Sequence, residues 1–171
     1  MELDKIKEAE MKETIGKECK RRLRLVLRSK LNGKNKISAV NTWAVATFRY
    51  GAGIIQWKYN KLKDIDRKTR KTMTMYGAFH PKSDVDRLYV KRKEGGRGLI
   101  SVERCVKEEE NILKLYISNS EEKLVKGIAK FEKLDASELE EGRDFKTRNE
   151  QETKDRWVGK SMHGQFIREL S

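Results

Sequence analysis

The sequence predicts an all-α protein: a helical bundle over residues 1–117, carrying a short glycine-rich turn or ribbon at 90–100, followed by a less ordered helical extension over 118–171. Two observations carry this. Apolar residues recur at steps of three and four through much of the chain, the spacing of one helix face. The strongest backbone breaks, Gly77, the single proline Pro81 and the run Gly95-Gly96-Arg97-Gly98, fall together in one stretch, where turns belong.

Residues 3–31 read as one long helix. Ile15, Cys19, Leu23, Val26, Leu27 and Leu31 form its apolar stripe, and Lys17, Lys20, Arg21, Arg24 and Arg28 recur on another face. Asn32-Gly33 is expected to close it, with Gly33 in a left-handed C-terminal position. Residues 35–57 are the most apolar stretch. Trp43, Phe48, Tyr50, Ile54, Ile55 and Trp57 point to several faces, which predicts a central buried helix. A third helix over 59–76 turns Leu62, Ile65, Thr69, Met73 and Tyr76 inward and Lys63, Arg67, Arg70 and Lys71 outward.

Beyond Gly77, Ser83 is placed to cap a short helical turn, with Asp84 and Asp86 near its positive end. In the turn at 90–100, Gly95, Gly96 and Gly98 free the backbone. Ser101 caps a helix over 102–117, with Ile100 and Cys105 spaced for a hydrophobic staple and Glu108, Glu109 and Glu110 making its exposed side acidic. A shorter helix follows over about 121–134, begun by Asn119 or Ser120. The polar stretch 135–155 reads as a linker or weak helix. Trp157, Val158, Met162, Phe166 and Ile167 make 153–170 apolar enough to dock on a neighbouring region.

Charge points to a partner. The 171 residues carry a net charge of +13, and charged side chains (39%) outnumber hydrophobic ones (36%). Residues 1–104 hold 27 Lys/Arg against 12 Asp/Glu, a balance of +15, whereas 105–171 hold 13 against 15, a balance of −2. Such asymmetry suggests that the first part touches a polyanion and the second does not. The bland alternative for each charge run is a solvated face.

Chemistry is hard to find. Cys19 and Cys105 lack CxxC spacing, and with only His80 and His163 beside them no zinc constellation forms; buried free thiols in a reducing, intracellular compartment (nucleus or cytoplasm) are expected. The acidic and basic N-terminus has no apolar core of a signal peptide, and no apolar run approaches the ~18 residues of a membrane span. The glycine-rich turn lacks the GKS/T ending of a nucleotide-binding loop. Asp84 and Asp86 suit capping; holding a metal would need a third carboxylate and a strand scaffold.

Several blocks in order resemble a known family. Asn32-Gly33-Lys34-Asn35-Lys36-Ile37, Asn41-Thr42-Trp43-Ala44-Val45 and Asp66-Arg67-Lys68-Thr69-Arg70-Lys71 come first. Thr74-Met75-Tyr76-Gly77-Ala78-Phe79-His80-Pro81 and Asp84-Val85-Asp86-Arg87-Leu88-Tyr89 follow, and then Lys93-Glu94-Gly95-Gly96-Arg97-Gly98-Leu99-Ile100-Ser101-Val102-Glu103. The set resembles the region after the palm in reverse transcriptases of non-LTR retrotransposons that carry a restriction-enzyme-like endonuclease. It covers about residues 4–170 and is strongest from 20 to 117. Lys91 stands where the family pattern has a proline.

The resemblance implies a thumb domain and linker that grip the template-primer duplex behind the polymerase site. Carried onto this sequence, duplex contact falls to Lys20, Arg21, Arg24, Arg28, Lys63, Arg67, Arg70, Lys71, Lys91, Arg92, Lys93 and Arg97. The Tyr-x-Asp-Asp motif, the palm carboxylates, the CCHC knuckle and the endonuclease carboxylates of the family have no counterpart here. The chain is therefore expected to be a fragment of a larger polyprotein or a decayed copy, and not an enzyme alone. Its expected partners are an RNA–DNA hybrid or other duplex and the missing palm and endonuclease regions, with no membrane. No cofactor is expected in this chain, and magnesium only in the missing palm. The alternatives are a basic helical scaffold or interaction protein and a product without present function.

Overall fold

The computed structural model describes residues 2–53, 55–131 and 142–160. All regular structure among the described residues is helical, with no strand. Helix α1 spans Glu2–Arg28. A continuous helical stretch follows as α2 (Gly33–Ala39), a π-helical segment (Val40–Val45) and α3 (Ala46–Ala52). Then come α4 (Tyr59–Met75), the short α5 (Val85–Tyr89), a 3₁₀ turn (Arg92–Glu94), α6 (Val102–Asn119), α7 (Lys123–Phe131) and α8 (Gly142–Lys160).

One core lies between α1, the α2–α3 stretch, α4 and α6. Leu23, Val26 and Leu27 from α1, Val40, Ala44 and Phe48 from the α2–α3 stretch, Leu62 and Met73 from α4, and Val102, Cys105 and Val106 from α6 share this one cluster. Trp57, just beyond α3, packs its ring 5.2 Å from that of Phe48. On α4 the buried positions are 62, 66, 69 and 73, the rhythm of a single helix face. Cys19 and Cys105 are buried free thiols, and burial pushes the Cys19 thiol up to about 11.

Several expectations are corrected. Helix α1 ends at Arg28, and Asn32-Gly33 opens α2 instead of closing α1: the Asn32 side chain accepts the N–H of Asn35 at 2.9 Å, because an extended Asn is a good N-cap. The predicted helix 35–57 begins at Gly33, changes to π winding over Val40–Val45 and stops at Ala52. It is not buried all round, since Trp43 is 41% and Tyr50 87% exposed. Asp84, not Ser83, caps α5 by accepting from the N–H groups of Asp86 (2.7 Å) and Arg87 (3.1 Å). Ser101 caps α6 as expected, accepting from Arg104 N–H at 3.1 Å.

Two further corrections concern the second half. Glu108, Glu109 and Glu110 do not form an open acidic side: all three are half-buried, and burial raises the Glu108 carboxyl above its usual range despite Arg104 beside it. The stretch read as a linker or weak helix is regular helix from Gly142 onward, and α8 packs on α5 and α6. Residues 135–141 lie outside the described residues, as do 132–134 at the end of the predicted helix over 121–134, and Met162, Phe166 and Ile167.

Candidate nucleic-acid interface

The basic face of α1 is present as an open surface. Lys17, Lys20, Arg21, Arg24 and Arg28 surround the half-exposed Leu25 along a shallow depression. Their charges are not equally available. Arg21 donates two hydrogen bonds of 2.8 Å to Glu18, which with Arg22 hold that carboxyl down to about 2. Lys17 pairs with Glu13 at 2.8 Å. Lys20, Arg24 and Arg28 have no carboxylate partner among the described residues, and Arg28 lies 6.0 Å over the ring of Tyr76 at the end of α4.

That contact puts Tyr76 beside α1, and helical spacing puts Thr72, Lys68, Ile65 and Lys61 in line with it along one side of α4. Lys61 and Lys68 are exposed. The surface that continues the α1 stripe therefore includes Lys61 and Lys68, which sequence reasoning missed, because only the packing of α1 tells which flank of α4 borders it. Lys71 is exposed further round.

Three of the four expected α4 residues are placed otherwise. Arg67 pairs with Asp64 at 2.8 Å. Lys63 leans towards Glu103 at 4.0 Å. Arg70 is half-buried, donates to the Tyr89 hydroxyl at 2.9 Å and lies 6.0 Å over that ring. Lys63 and Arg70 line an open cleft of about 480 Å³ between α4, α5, α6 and α8. Asp66, Asp86, Glu103 and Glu152 sit there among Lys63, Arg70, Arg104, Lys107 and Arg156. Charges of both signs at such density leave little field to attract a polyanion, so these two residues do not share the α1 surface.

The glycine-rich segment is a folded-back turn, without a strand. Arg97, Gly98 and Leu99 N–H groups donate to the carbonyls of Arg87, Val90 and Leu88 at 2.8–2.9 Å. Gly95 and Gly98 have φ of 85° and 75°, a region in which residues with a Cβ are strained. Gly96 is needed for space: a Cβ there would collide with the Val90 carbonyl. The Asn41 side chain, from the π segment, holds the returning segment of the turn by donating to Gly98 O at 2.8 Å and accepting from Ile100 N–H at 2.9 Å.

The cations of this turn diverge. Arg97 donates to Ala78 O at 3.2 Å, two residues beyond the Tyr76 ring under Arg28, so Arg28 and Arg97 reach the same Tyr76–Ala78 bend. Arg92 and Lys93 are exposed. Lys91 is not free: it pairs with Glu150 of α8. Among the described residues no group of three or more His, Cys, Asp or Glu is placed to hold a metal ion, and no helix is long and apolar enough to cross a membrane. No family model, curated protein or solved structure matches the chain significantly.

Proposed function

We propose that this chain is a sequence-neutral binder of a nucleic-acid duplex, with the RNA–DNA hybrid of a template-primer as its preferred form, acting as a thumb-like piece of a reverse transcriptase of the non-LTR retrotransposon type. The observation that carries the reading is the row of uncompensated cations on α1, Lys20, Arg24 and Arg28, continued by Lys61 and Lys68 on α4. A row of point charges and guanidinium forks along a helix pair suits successive phosphates, which position a protein without specifying sequence. A hybrid of A-like geometry offers a regular backbone and a wide, shallow minor groove to such a face. Polymerisation is not expected of the chain alone, since nothing in it matches the carboxylates that hold catalytic metals in the family it resembles.

The test is the binding of the purified chain to a labelled RNA–DNA hybrid across salt, beside heparin and a single strand. Each phosphate neutralised adds about −0.9 to the slope of log K against log salt on a duplex. With Lys20, Arg24, Arg28, Lys61 and Lys68 engaged, a slope of about −4 to −5 is expected. Equal affinity for heparin and hybrid would favour a basic scaffold protein for acidic partners, and a salt-independent affinity would remove the phosphate model.

A further inference from the structure

Helix α8 is attached to the rest of the protein in an unusual way for a 19-residue helix. Of its described side chains only Thr153 and Trp157 are buried, so it has one apolar anchor and no apolar stripe. What surrounds that anchor is charge. Glu150 pairs with Lys91, Lys154 with Glu94 at 3.3 Å, and Arg156 and Lys160 with Asp86 at 3.5 and 3.8 Å. All four contacts reach α5 or the glycine-rich turn, the segment that also carries Arg92, Lys93 and Arg97. Ion pairs with one partner this exposed are weak and screened by salt, and a polyanion competes for every cation in them.

We propose that α8 is a polyanion-sensitive latch: Glu150 occupies Lys91 in the free protein, and the phosphate backbone of a bound duplex takes Lys91 over and loosens α8. The idea rests on the duplex-binding reading and adds its regulation. Glu150 is well placed for the role. Its side chain is 13% exposed while that of Lys91 is 57% exposed, so the lysine lies open to a competitor as the carboxylate covers its inner side. Lys154, Arg156 and Lys160 respond in the same direction, because phosphates draw them from Glu94 and Asp86. The first duplex contacts, made on α1 and α4, precede the release and raise the local phosphate density at the turn. Affinity then becomes a balance between phosphate and the α8 carboxylate for one lysine.

The test compares the full chain with Glu150→Gln, Lys91→Ala, the double variant, and Lys20→Ala/Arg24→Ala/Arg28→Ala, titrated with a labelled RNA–DNA hybrid across salt. Glu150→Gln should bind more tightly, by up to about eightfold at 0.1 M salt, with a slope steeper by about 0.9, the contribution of one freed lysine. Lys91→Ala should cost more in the Glu150→Gln background than in the wild type. Amide exchange of 142–160 should quicken when hybrid binds. If the wild type binds and the α1 triple variant does not, yet Glu150→Gln equals the wild type, the latch is wrong and the binding reading stands. Tighter protection of α8 in the complex, or weaker binding by Glu150→Gln, also overturns the latch. Absence of binding by every variant and the wild type overturns both.

Discussion

Asp66, buried on α4, accepts the backbone N–H of Val102 at 2.7 Å and that of Glu103 at 3.1 Å. One helix thus caps the start of another across 36 residues of chain. The first N–H groups of α6 have no partner within their own helix, and the carboxylate also meets the positive end of the helix dipole. Burial nevertheless raises the carboxyl to about 6, against the two backbone donors and Arg70, which favour the ionised form.

The sign of the pH dependence follows from that rise. A carboxyl raised from 3.8 in the unfolded chain to about 6 when folded lends most stability below pH 4 and loses it as pH climbs through 6. About two units correspond to roughly 3 kcal/mol. Urea unfolding of the wild type and Asp66→Asn should show the wild type gaining on the variant between pH 7.5 and 4. Other carboxylates, Glu18 among them, titrate alike in both proteins and cancel in the comparison. A difference that stays flat with pH would mean that Asp66 keeps its charge throughout.

Asn41→Ala removes both side-chain hydrogen bonds to the returning segment of the glycine-rich turn. The half-buried Ile100 N–H and Gly98 carbonyl lose their partner, each at a cost of about 1–3 kcal/mol. The urea midpoint should fall with an unchanged m-value, and amide exchange at Ile100 should rise before that of the α1 core.

Two glycines should behave oppositely. Gly96→Ala drives a methyl group into the Val90 carbonyl and should destabilise by about 1–3 kcal/mol or more, as overpacking does. Gly16→Ala, on α1 with nothing within 4 Å of the added carbon, should stabilise by about 0.5–1 kcal/mol through helix propensity. Thermal midpoints of the two variants suffice to check the pair.

On the nucleic-acid surface, the two flanks of α4 make a sharp contrast. Lys61→Ala/Lys68→Ala should flatten the salt slope on an RNA–DNA hybrid by about 1.8, at about 0.9 for each phosphate lost. Lys63→Ala/Arg70→Ala should flatten it far less, because those side chains face Glu103 and Tyr89. The reverse outcome would place the duplex over the cleft between α4 and α8.

The sequence alone carried the helical class, the extents of α1, α4 and α6 to within about a turn, the cap at Ser101 and the basic stripe on α1, because periodicity and capping are local properties of a chain. It misplaced Asn32-Gly33, since the same pair suits the end of one helix and the beginning of the next. For α8 it offered only a linker or weak helix within a less ordered helical extension. A helix without an apolar stripe has no periodic signal, and its attachment comes from Trp157 and from cations and carboxylates whose partners lie some sixty or seventy residues earlier.

The site divides along the same line. Which residues are cationic was plain from the sequence, and so was the spacing that gathers Lys20, Arg24 and Arg28 on one side of α1. Arg67 is engaged locally, by Asp64 three residues before it, but the availability of Lys63, Arg70 and Lys91 was settled only by tertiary packing, on α6, α5 and α8. Helical periodicity dictates which side chains share a face. The approach of a second helix decides whether that face meets solvent, a carboxylate or the core, and nothing local in the chain encodes that approach.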